Sequence, residues 1–196
     1  AEMGQGTMTA LPAIIADELD ADWAMVRTVL PPAWEEKKWC NPGYRGGFQT
    51  SASNSVQSYF KPLRIAGAQA RRVLLDAAAS RWGVPVGELS TDPSVVVHRA
   101  SGRRLTYGEI AGFARAPLTL PNVSDKDLKS PANFRYIGRD VPRVDVPSKV
   151  TGAAKYAIDV QVPGMVYASL LHSPMEGAKA GSVNTDEVMK IKGVTR

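Results

Sequence analysis

The strongest structural signal in the sequence is a long helical repeat in its first half. Between Gly43 and Trp82, a polar loop rich in Gly, Ser, Thr, Asn and Gln leads into a stretch whose apolar residues recur every three or four positions. This spacing is typical of a helix that buries one face. Pro62 lies about two turns into the helix, where its missing N–H predicts a kink or a restart. The predicted buried face consists of Tyr59, Leu63, Ala66, Ala70, Val73, Leu74 and Ala77.

The start of this helix is a candidate anion site. The sequence places Ser53, Asn54 and Ser55 at its first positions. The first N–H groups of a helix have no acceptor within the helix, and the helix dipole is positive there, so small side chains at this point can seat a phosphate. An ordinary capped helix that binds no ligand carries the same residues. Both interpretations stay open at this point.

A second glycine-rich loop, Met3-Gly4-Gln5-Gly6-Thr7, precedes a helix predicted over roughly Thr7 to Leu19. Its glycines let the backbone approach a ligand closely, and the amide of Gln5 offers both a donor and an acceptor. A plain turn before a helix would have the same sequence. The loop therefore predicts a ligand contact only in combination with other motifs.

The remaining patterns predict short strands and helices, and hence a mixed α+β fold. A long loop containing Trp34, Trp39 and Tyr44 has no period, and we expect other chain segments to cover these aromatic rings. The other elements predicted before residue 115 are a strand over Asp22–Leu30, a hairpin of Ser94–His98 with Arg104–Tyr107, and a short helix over Tyr107–Ala114.

The second half of the sequence predicts a connector and then a second domain. Residues 116–141 have no period and contain Pro117, Pro121 and Pro131, which is typical of an extended connector. The predicted domains are thus residues 1–115, this connector, and residues 142–196. The last part should contain strands over Lys155–Val160 and Met165–His172 and a helix over Thr185–Lys190. Neither end looks like a natural terminus, so we expect the chain to be an interior piece, or a processed chain, of a longer protein.

The charge pattern argues against a nucleic-acid groove. Lysine and arginine outnumber aspartate and glutamate by 24 to 19, but they are scattered, as Arg71 and Arg135 illustrate, and they do not alternate with aromatic residues. We expect most of them on solvated faces or at partner contacts. Cys40 is the sole cysteine, and His98 has no second ligand nearby in sequence, so no metal-ligating residues are predicted. No apolar run is long enough to span a bilayer.

Three motifs in one order resemble a known family. They are Glu2–Thr7, Gln49–Val56, and Lys149–Tyr156 with the sequences Ile158-Asp159 and Pro163–Ala168 after it. Together they resemble the large, molybdenum-binding subunit of the xanthine dehydrogenase and aldehyde oxidase family. The closer similarity is to its bacterial branch of isoquinoline 1-oxidoreductase beta subunits and membrane-bound aldehyde dehydrogenases. In that branch a molybdopterin-binding segment precedes a hammerhead domain. The resemblance therefore implies a molybdopterin-binding segment at residues 1–115 and the start of an incomplete hammerhead-like domain at residues 142–196.

The resemblance implies a molybdopterin cofactor, as the cytosine dinucleotide, held by two of these motifs. The first motif would contact the pterin side, and the second would hold the phosphate end by N–H and hydroxyl groups. The implied cofactor-binding residues are Gly4, Gln5 and Gly6 in the first motif and Ala52, Ser53, Asn54 and Ser55 in the second. The family's branch usually has Gly-Gly-Ser where this chain has Ser51-Ala52-Ser53. The pterin sulfurs hold the metal in this family, which implies no protein ligand.

The resemblance also implies an activity and partners. The enzyme would oxidise an aldehyde or N-heterocycle with water as the oxygen source, and electrons would pass to a small [2Fe-2S] subunit, with a cytochrome c subunit as a further partner. The rest of the large subunit would supply the catalytic glutamate, so no catalytic residue is assigned here. The implied location is periplasmic or on the periplasmic side of a membrane, and a cytoplasmic one stays open. The alternative is a basic phosphate- or nucleic-acid-binding module without redox chemistry.

Overall fold

The computed structural model describes residues 3–35, 38–43 and 47–195. Within the chain, residues 1–154 and residues 155–196 form two separate compact units. Glu2 of the first motif and Tyr44 of the aromatic loop lie outside the described residues. No described helix is both long and apolar enough to cross a membrane. The domain boundaries expected at 115/116 and 141/142 stay predictions.

Two helices organise the first unit, and both match the sequence prediction. α1 spans Thr7–Leu19, and α2 spans Asn54–Trp82 as one continuous helix of 29 residues that contains Pro62. α1 packs across α2 at Gly67, where the absence of a side chain allows the two backbones to approach closely. This crossing places the loops that precede the two helices at the same end of the helix pair.

The buried face of α2 is rotated from the predicted one. Gly67, Ala68, Ala78 and Ala79 are buried, whereas Ala66 and Ala70, predicted to be buried, are exposed. The reason is that two arginines, Arg64 and Arg71, lie on the side that faces α1. A search for apolar periodicity excludes arginines from a buried face, although ion pairs can hold them there.

Glu18 and Asp20, at the end of α1, are the partners of these arginines. The Glu18 carboxylate is fully buried, and the Arg64 guanidinium donates to it from Nε at 2.7 Å. Arg71 has a side chain only 16% exposed, and its Nη1 lies 3.6 Å from an Asp20 oxygen. Lys129 also pairs with Asp20. The expectation that scattered cations such as Arg71 face solvent is therefore wrong for this cluster, because buried carboxylates neutralise them.

Asp17, the residue before Glu18 on α1, binds backbone N–H groups rather than side chains. Its carboxylate accepts hydrogen bonds from the N–H groups of Arg135, Tyr136 and Ile137 at 2.9, 3.1 and 2.8 Å. The Tyr136 hydroxyl donates to the carbonyl of Ala21 at 2.7 Å. Part of the proline-dotted connector is thus fastened to the C-terminal end of α1 instead of running freely over the surface.

A small antiparallel sheet packs against the C-terminal part of α2. Its strands are β1 (Leu89–Asp92), β2 (Val95–His98) and β3 (Arg103–Thr106), in the order β1-β2-β3. The β2–β3 hairpin confirms the prediction, and β1 was missed because it contains a single apolar residue. The short helix α3 (Tyr107–Ala111) follows with the capping box of Thr106 and Glu109. Ala78, Val96 and Ile110 form the fully buried centre of this region.

Several predicted strands are absent from the structure. Residues 22–30 contain only a 3-10 turn at Trp23–Met25, and the described part of the second unit has no strand at 155–160 or 165–172. An alternating sequence forms a strand only when a neighbouring strand accepts its hydrogen bonds, and the described residues supply none there. About the last fifty described residues contain two short α-helices. They are α4 (Val146–Val150) in the first unit and α5 (Thr185–Val188) in the second. The remaining 3-10 turns are Ala33–Glu35, Val86–Glu88, Asp125–Asp127, Pro131–Asn133 and Ala157–Asp159.

The helices and the three-stranded sheet confirm an α+β fold. The hammerhead-like nature of residues 142–196 stays a prediction.

Candidate functional site

The two loops singled out in the sequence line a common cavity. This space, which we call the serine cavity, has a volume of about 400 Å³. Its walls come from the loop before α1 and from the loop and first residues of α2. The lining residues are Met3, Gln5, Thr7, Thr50, Ser51, Ala52, Ser53, Ser55 and Val56. Motifs some fifty positions apart in sequence are therefore neighbours in space, as one shared binding site requires.

Gln5 is held by hydrogen bonds within its own loop. Its side-chain oxygen accepts from the N–H of Met3 at 2.6 Å, and its amide donates to the Thr7 hydroxyl at 2.7 Å. Gly4 and Gly6 flank it at φ values of 87° and 85°, a region that glycine enters without strain. Of these three residues only Gln5 lines the serine cavity. The glycines shape the turn that presents Gln5.

The second loop turns sharply before α2. Ala52 and Ser53 have φ values of 52° and 53°, a left-handed conformation that costs about 1–3 kcal/mol for each residue with a side chain. The N–H of Asn54 donates to the carbonyl of Ser51 at 3.0 Å, which closes the turn. Ser53 is the N-cap residue, and its side chain does not cap the helix. Ser53 and Ser55 thereby both line the cavity.

Asn54 lies beside the cavity rather than in its lining. Its side-chain oxygen accepts a hydrogen bond from the Ser58 hydroxyl at 2.5 Å. A Cβ atom at Gly43 would stand 3.1 Å from the Asn54 amide nitrogen and 2.2 Å from the Ser58 hydroxyl, so Asn54 packs against the loop at Gly43. Its contact with a ligand stays a prediction, as do the contacts of the other six residues.

The serine cavity suits an anion by its dipoles and not by charged side chains. None of its lining residues is ionisable. Serine and threonine hydroxyls and the N-terminal N–H groups of a long helix are good donors to phosphate oxygens. The absence of carboxylates from the described lining also means that no fixed negative charge would repel a phosphate.

A second cavity adjoins the serine cavity at Gln5 and Val56, which line both. This interhelix cleft has a volume of about 360 Å³ and lies between the first half of α1, the start of α2 and residues 136–143. The sequence did not predict this cleft, because its walls come from three separate regions of the chain. The lining residues are Gln5, Gly6, Thr9, Ala10, Ala13, Ile14, Val56, Phe60, Tyr136, Ile137, Gly138, Arg139, Val141 and Arg143.

An ion cluster stands at the edge of the interhelix cleft. The Arg143 guanidinium lies 3.8 Å from where a Gly6 Cβ would be, and it donates to Asp145 from Nε at 3.1 Å and from Nη2 at 2.6 Å. Lys149 donates to the same carboxylate at 2.5 Å. The hydrogen bonds from Arg143 and then Lys149 hold the pKa of Asp145 well below its usual range. The four-residue spacing of Asp145 and Lys149 is the feature of the sequence that indicates this ion pair.

An apolar groove runs along the opposite side of α1. It has a volume of about 640 Å³ and includes Leu11, Ile15, Val29, Leu30 and Leu63 in its walls. The indole of Trp39 lines it too, while Trp34 is 86% exposed. Within the described residues Trp34 is therefore uncovered and Trp39 is about half exposed, at 48%. Burial of both rings by other segments stays a prediction.

The described residues contain no group of three or more His, Cys, Asp or Glu side chains that could hold a metal ion. The candidate site is thus a cavity with an uncharged lining rich in serine and threonine, beside a cleft that is mainly apolar and also lined by Arg139 and Arg143.

Comparisons with known proteins identify relatives along nearly the whole chain, although no family model matches it. The chain is 38% identical to the isoquinoline 1-oxidoreductase subunit beta of Brevundimonas diminuta over 98% of its own length and 28% of the relative's. It is 34% identical to the membrane-bound aldehyde dehydrogenase [pyrroloquinoline-quinone] of Gluconacetobacter polyoxogenes over 100% of its own length and 25% of the relative's. A 52-residue segment, 26% of the chain and 7% of the relative, is 40% identical to the xanthine dehydrogenase molybdenum-binding subunit of Escherichia coli O157:H7. The chain thus spans about a quarter of the length of the first two of these relatives.

Proposed function

We propose that this chain holds part of a molybdopterin cofactor. It belongs to the family of large, molybdenum-binding subunits that includes the isoquinoline 1-oxidoreductase beta subunit and the membrane-bound aldehyde dehydrogenase. The enzyme would be an oxidoreductase acting on an aldehyde or N-heterocycle. When bound, the cofactor supplies the redox chemistry, with water as the source of the oxygen atom. This chain would bind and orient it.

The observation that carries the proposal is the serine cavity. It joins the two loops that the family resemblance implicates, through Gln5 on one side and through Ala52, Ser53 and Ser55 on the other. Its neutral, hydroxyl-rich lining suits the phosphate end of a molybdopterin cytosine dinucleotide. The loop of Gly4, Gln5 and Gly6 would then face the pterin side. The hydroxyls and N–H groups would replace the water lost by the phosphate and fix its position.

The partners and the location are proposals of the same kind. One relative is named as a subunit and the other as membrane-bound, which supports an assembly at a membrane. We propose the rest of a large subunit, a small [2Fe-2S] subunit and a cytochrome c subunit as partners, on the periplasmic side. The exposed indole of Trp34 and the apolar groove are surfaces that such partners could cover. The catalytic glutamate would come from another part of the large subunit.

No observation favours a basic phosphate- or nucleic-acid-binding module. Three of the cations that such a module would need, Arg64, Arg71 and Lys129, are paired with buried carboxylates. Their charges are neutralised inside the fold and are not displayed on a surface.

Metal analysis tests the proposal. The protein should be isolated from its own cells with the subunits that accompany it, and its molybdenum should be measured together with the organic pterin that denaturation releases. We expect stoichiometric molybdenum and a cytosine nucleotide. A metal-free protein that binds phosphate-bearing polymers with an affinity that falls steeply with salt would overturn the proposal.

A further inference from the structure

The wall of the interhelix cleft that faces α1 is an irregular segment. Residues 136–143 contain no helix or strand, so they lack a ladder of backbone hydrogen bonds to hold them in place. Tyr136, Ile137 and Val141 nevertheless line the cleft opposite Gly6 and Ala10 of the α1 region. A segment of this kind keeps one conformation only if contacts from outside fix its backbone.

Asp17 supplies that fixation. Its carboxylate is fully buried and accepts three N–H groups, those of residues 135, 136 and 137, at 2.9, 3.1 and 2.8 Å. Charge-assisted bonds of this type are about twice as strong as neutral ones. Such an arrangement orients three consecutive peptide groups at once. Together with the Tyr136 hydroxyl, which donates to the carbonyl of Ala21 at 2.7 Å, it fixes where Tyr136 and Ile137 lie in the cleft wall.

The position of Asp17 is unfavourable for the helix itself. Asp17 lies in the last turn of α1, which has no basic residue, and the negative end of the helix dipole disfavours carboxylates there. The residue thus stabilises a tertiary contact at the expense of its own helix. The same helix begins at the Gln5–Gly6 loop and is 13 residues long. Its first residues form one wall of the cleft, and Asp17 near its end holds the other wall in place.

The cleft lies directly beside the serine cavity, because Gln5 and Val56 line both. Its lining differs in character. It has the rings of Phe60 and Tyr136 and the aliphatic side chains of Ile14 and Val141, and two arginines, Arg139 and Arg143, line it as well. A space of this kind suits a planar ring system, whereas the serine cavity suits a phosphate. An elongated ligand that carries both groups could occupy both compartments.

We propose that the interhelix cleft is a second compartment of the cofactor site, which takes a ring portion of the bound cofactor, and that Asp17 is the positioning residue that holds its wall. This inference rests on the proposed function, since it needs a cofactor in the serine cavity. Asp17 touches no ligand and acts through the backbone of residues 135–137.

The test compares Asp17→Asn with Glu18→Gln in the protein isolated from its own cells. An asparagine keeps the shape of Asp17 but offers a single acceptor oxygen and no charge. Glu18 is an equally buried neighbour whose partners, Arg64, Arg71 and the N–H of Lys129, do not line the cleft. Hydrogen exchange, the melting temperature and the molybdenum content are measured for both variants.

In Asp17→Asn we expect the amides of residues 135–137 to exchange about tenfold faster or more. We also expect the folded protein to lose most of its molybdenum. Glu18→Gln should lower the melting temperature to a similar degree and keep its molybdenum. Full molybdenum occupancy in Asp17→Asn despite faster exchange, or an equal loss in Glu18→Gln, would overturn the inference. A wild-type protein without molybdenum would instead refute the proposed function.

A further variant tests the cleft without altering its anchor. Ala10→Leu adds side-chain volume from the α1 wall and keeps a good helix-forming residue. We expect a loss of molybdenum with unchanged exchange at residues 135–137. Unchanged molybdenum in this variant, with the protein folded, would show that the ligand does not enter the cleft and would overturn the inference even if Asp17→Asn fails to fold.

Discussion

Gly67 of α2 lies so close to Glu18 of α1 that a Cβ atom at Gly67 would stand 2.8 Å from the Cβ of Glu18. It would also stand 2.8 Å from the backbone carbonyl oxygen of Ile15. Carbon atoms pack at about 3.5–4.0 Å, so this glycine sets the distance between the two helices. The close crossing also places the Glu18 carboxylate within 2.6 Å of the Arg64 guanidinium.

Gly67→Ala should destabilise the protein. Alanine gains about 1 kcal/mol of helix propensity over glycine, but forcing the helices apart should cost about 1–3 kcal/mol or more and disturb the buried ion pairs. We therefore expect a net loss in the free energy of unfolding, measured by urea denaturation. Gly87→Ala, at a position where a Cβ would meet nothing within 4 Å, is the matched control and should have little effect. An unchanged midpoint for Gly67→Ala would contradict this packing.

Arg64→Ala should cost much more stability than Arg72→Ala. Removing Arg64 leaves the buried Glu18 carboxylate without its nearest cation, which typically costs about 3–5 kcal/mol. Arg72 pairs with Asp76 on the surface, where such a pair contributes about 0–1 kcal/mol. Chemical denaturation of both variants measures the difference. Equal effects would mean that the Glu18 pair is as solvated as the Arg72 pair.

Asp145→Asn should change how stability depends on pH. Arg143 and Lys149 lower the pKa of Asp145 in the folded state from its usual 3.8, so the ionised carboxylate stabilises the fold above that value. As the pH falls below 3.8 towards the folded-state pKa, this contribution is lost. The difference in unfolding free energy between the wild type and Asp145→Asn should be constant near neutral pH and shrink in acid. A difference that grows on acidification would refute the role of the ion cluster.

Ser55→Asp should remove the cofactor and leave the fold intact. Aspartate is well tolerated at a helix start, but in the serine cavity it would lose a hydroxyl donor and repel a phosphate. A charge-assisted hydrogen bond of about 1.5–3 kcal/mol corresponds to at least about a tenfold loss of affinity. The control is Gln57→Asp, which adds the same charge to the same turn outside the cavity lining. Molybdenum content and the melting curve are the measurements, and full occupancy in Ser55→Asp would refute the phosphate contact.

The local elements of the fold follow from local patterns. The periods that predict α1 and α2, and the capping box of Thr106 and Glu109, depend on residues within a few positions of each other. Patterns of this kind also led to strands over residues 155–160 and 165–172 that the structure lacks. A strand needs a partner, and a local alternation contains no information about whether the partner is present.

The sequence by itself determined the two long helices, the β2–β3 hairpin, the α+β class and the motifs that identify the family. Only the tertiary structure decided that Arg64 and Arg71 face inward, that the two loops share the serine cavity, and that Asp17 holds residues 135–137. These features join positions far apart in the chain, such as Asp17 and Tyr136, which are 119 residues apart. Their physical basis is the pairing of a buried carboxylate with a distant donor. The free energy of such a pair depends on burial and geometry, which exist only once the helices have packed.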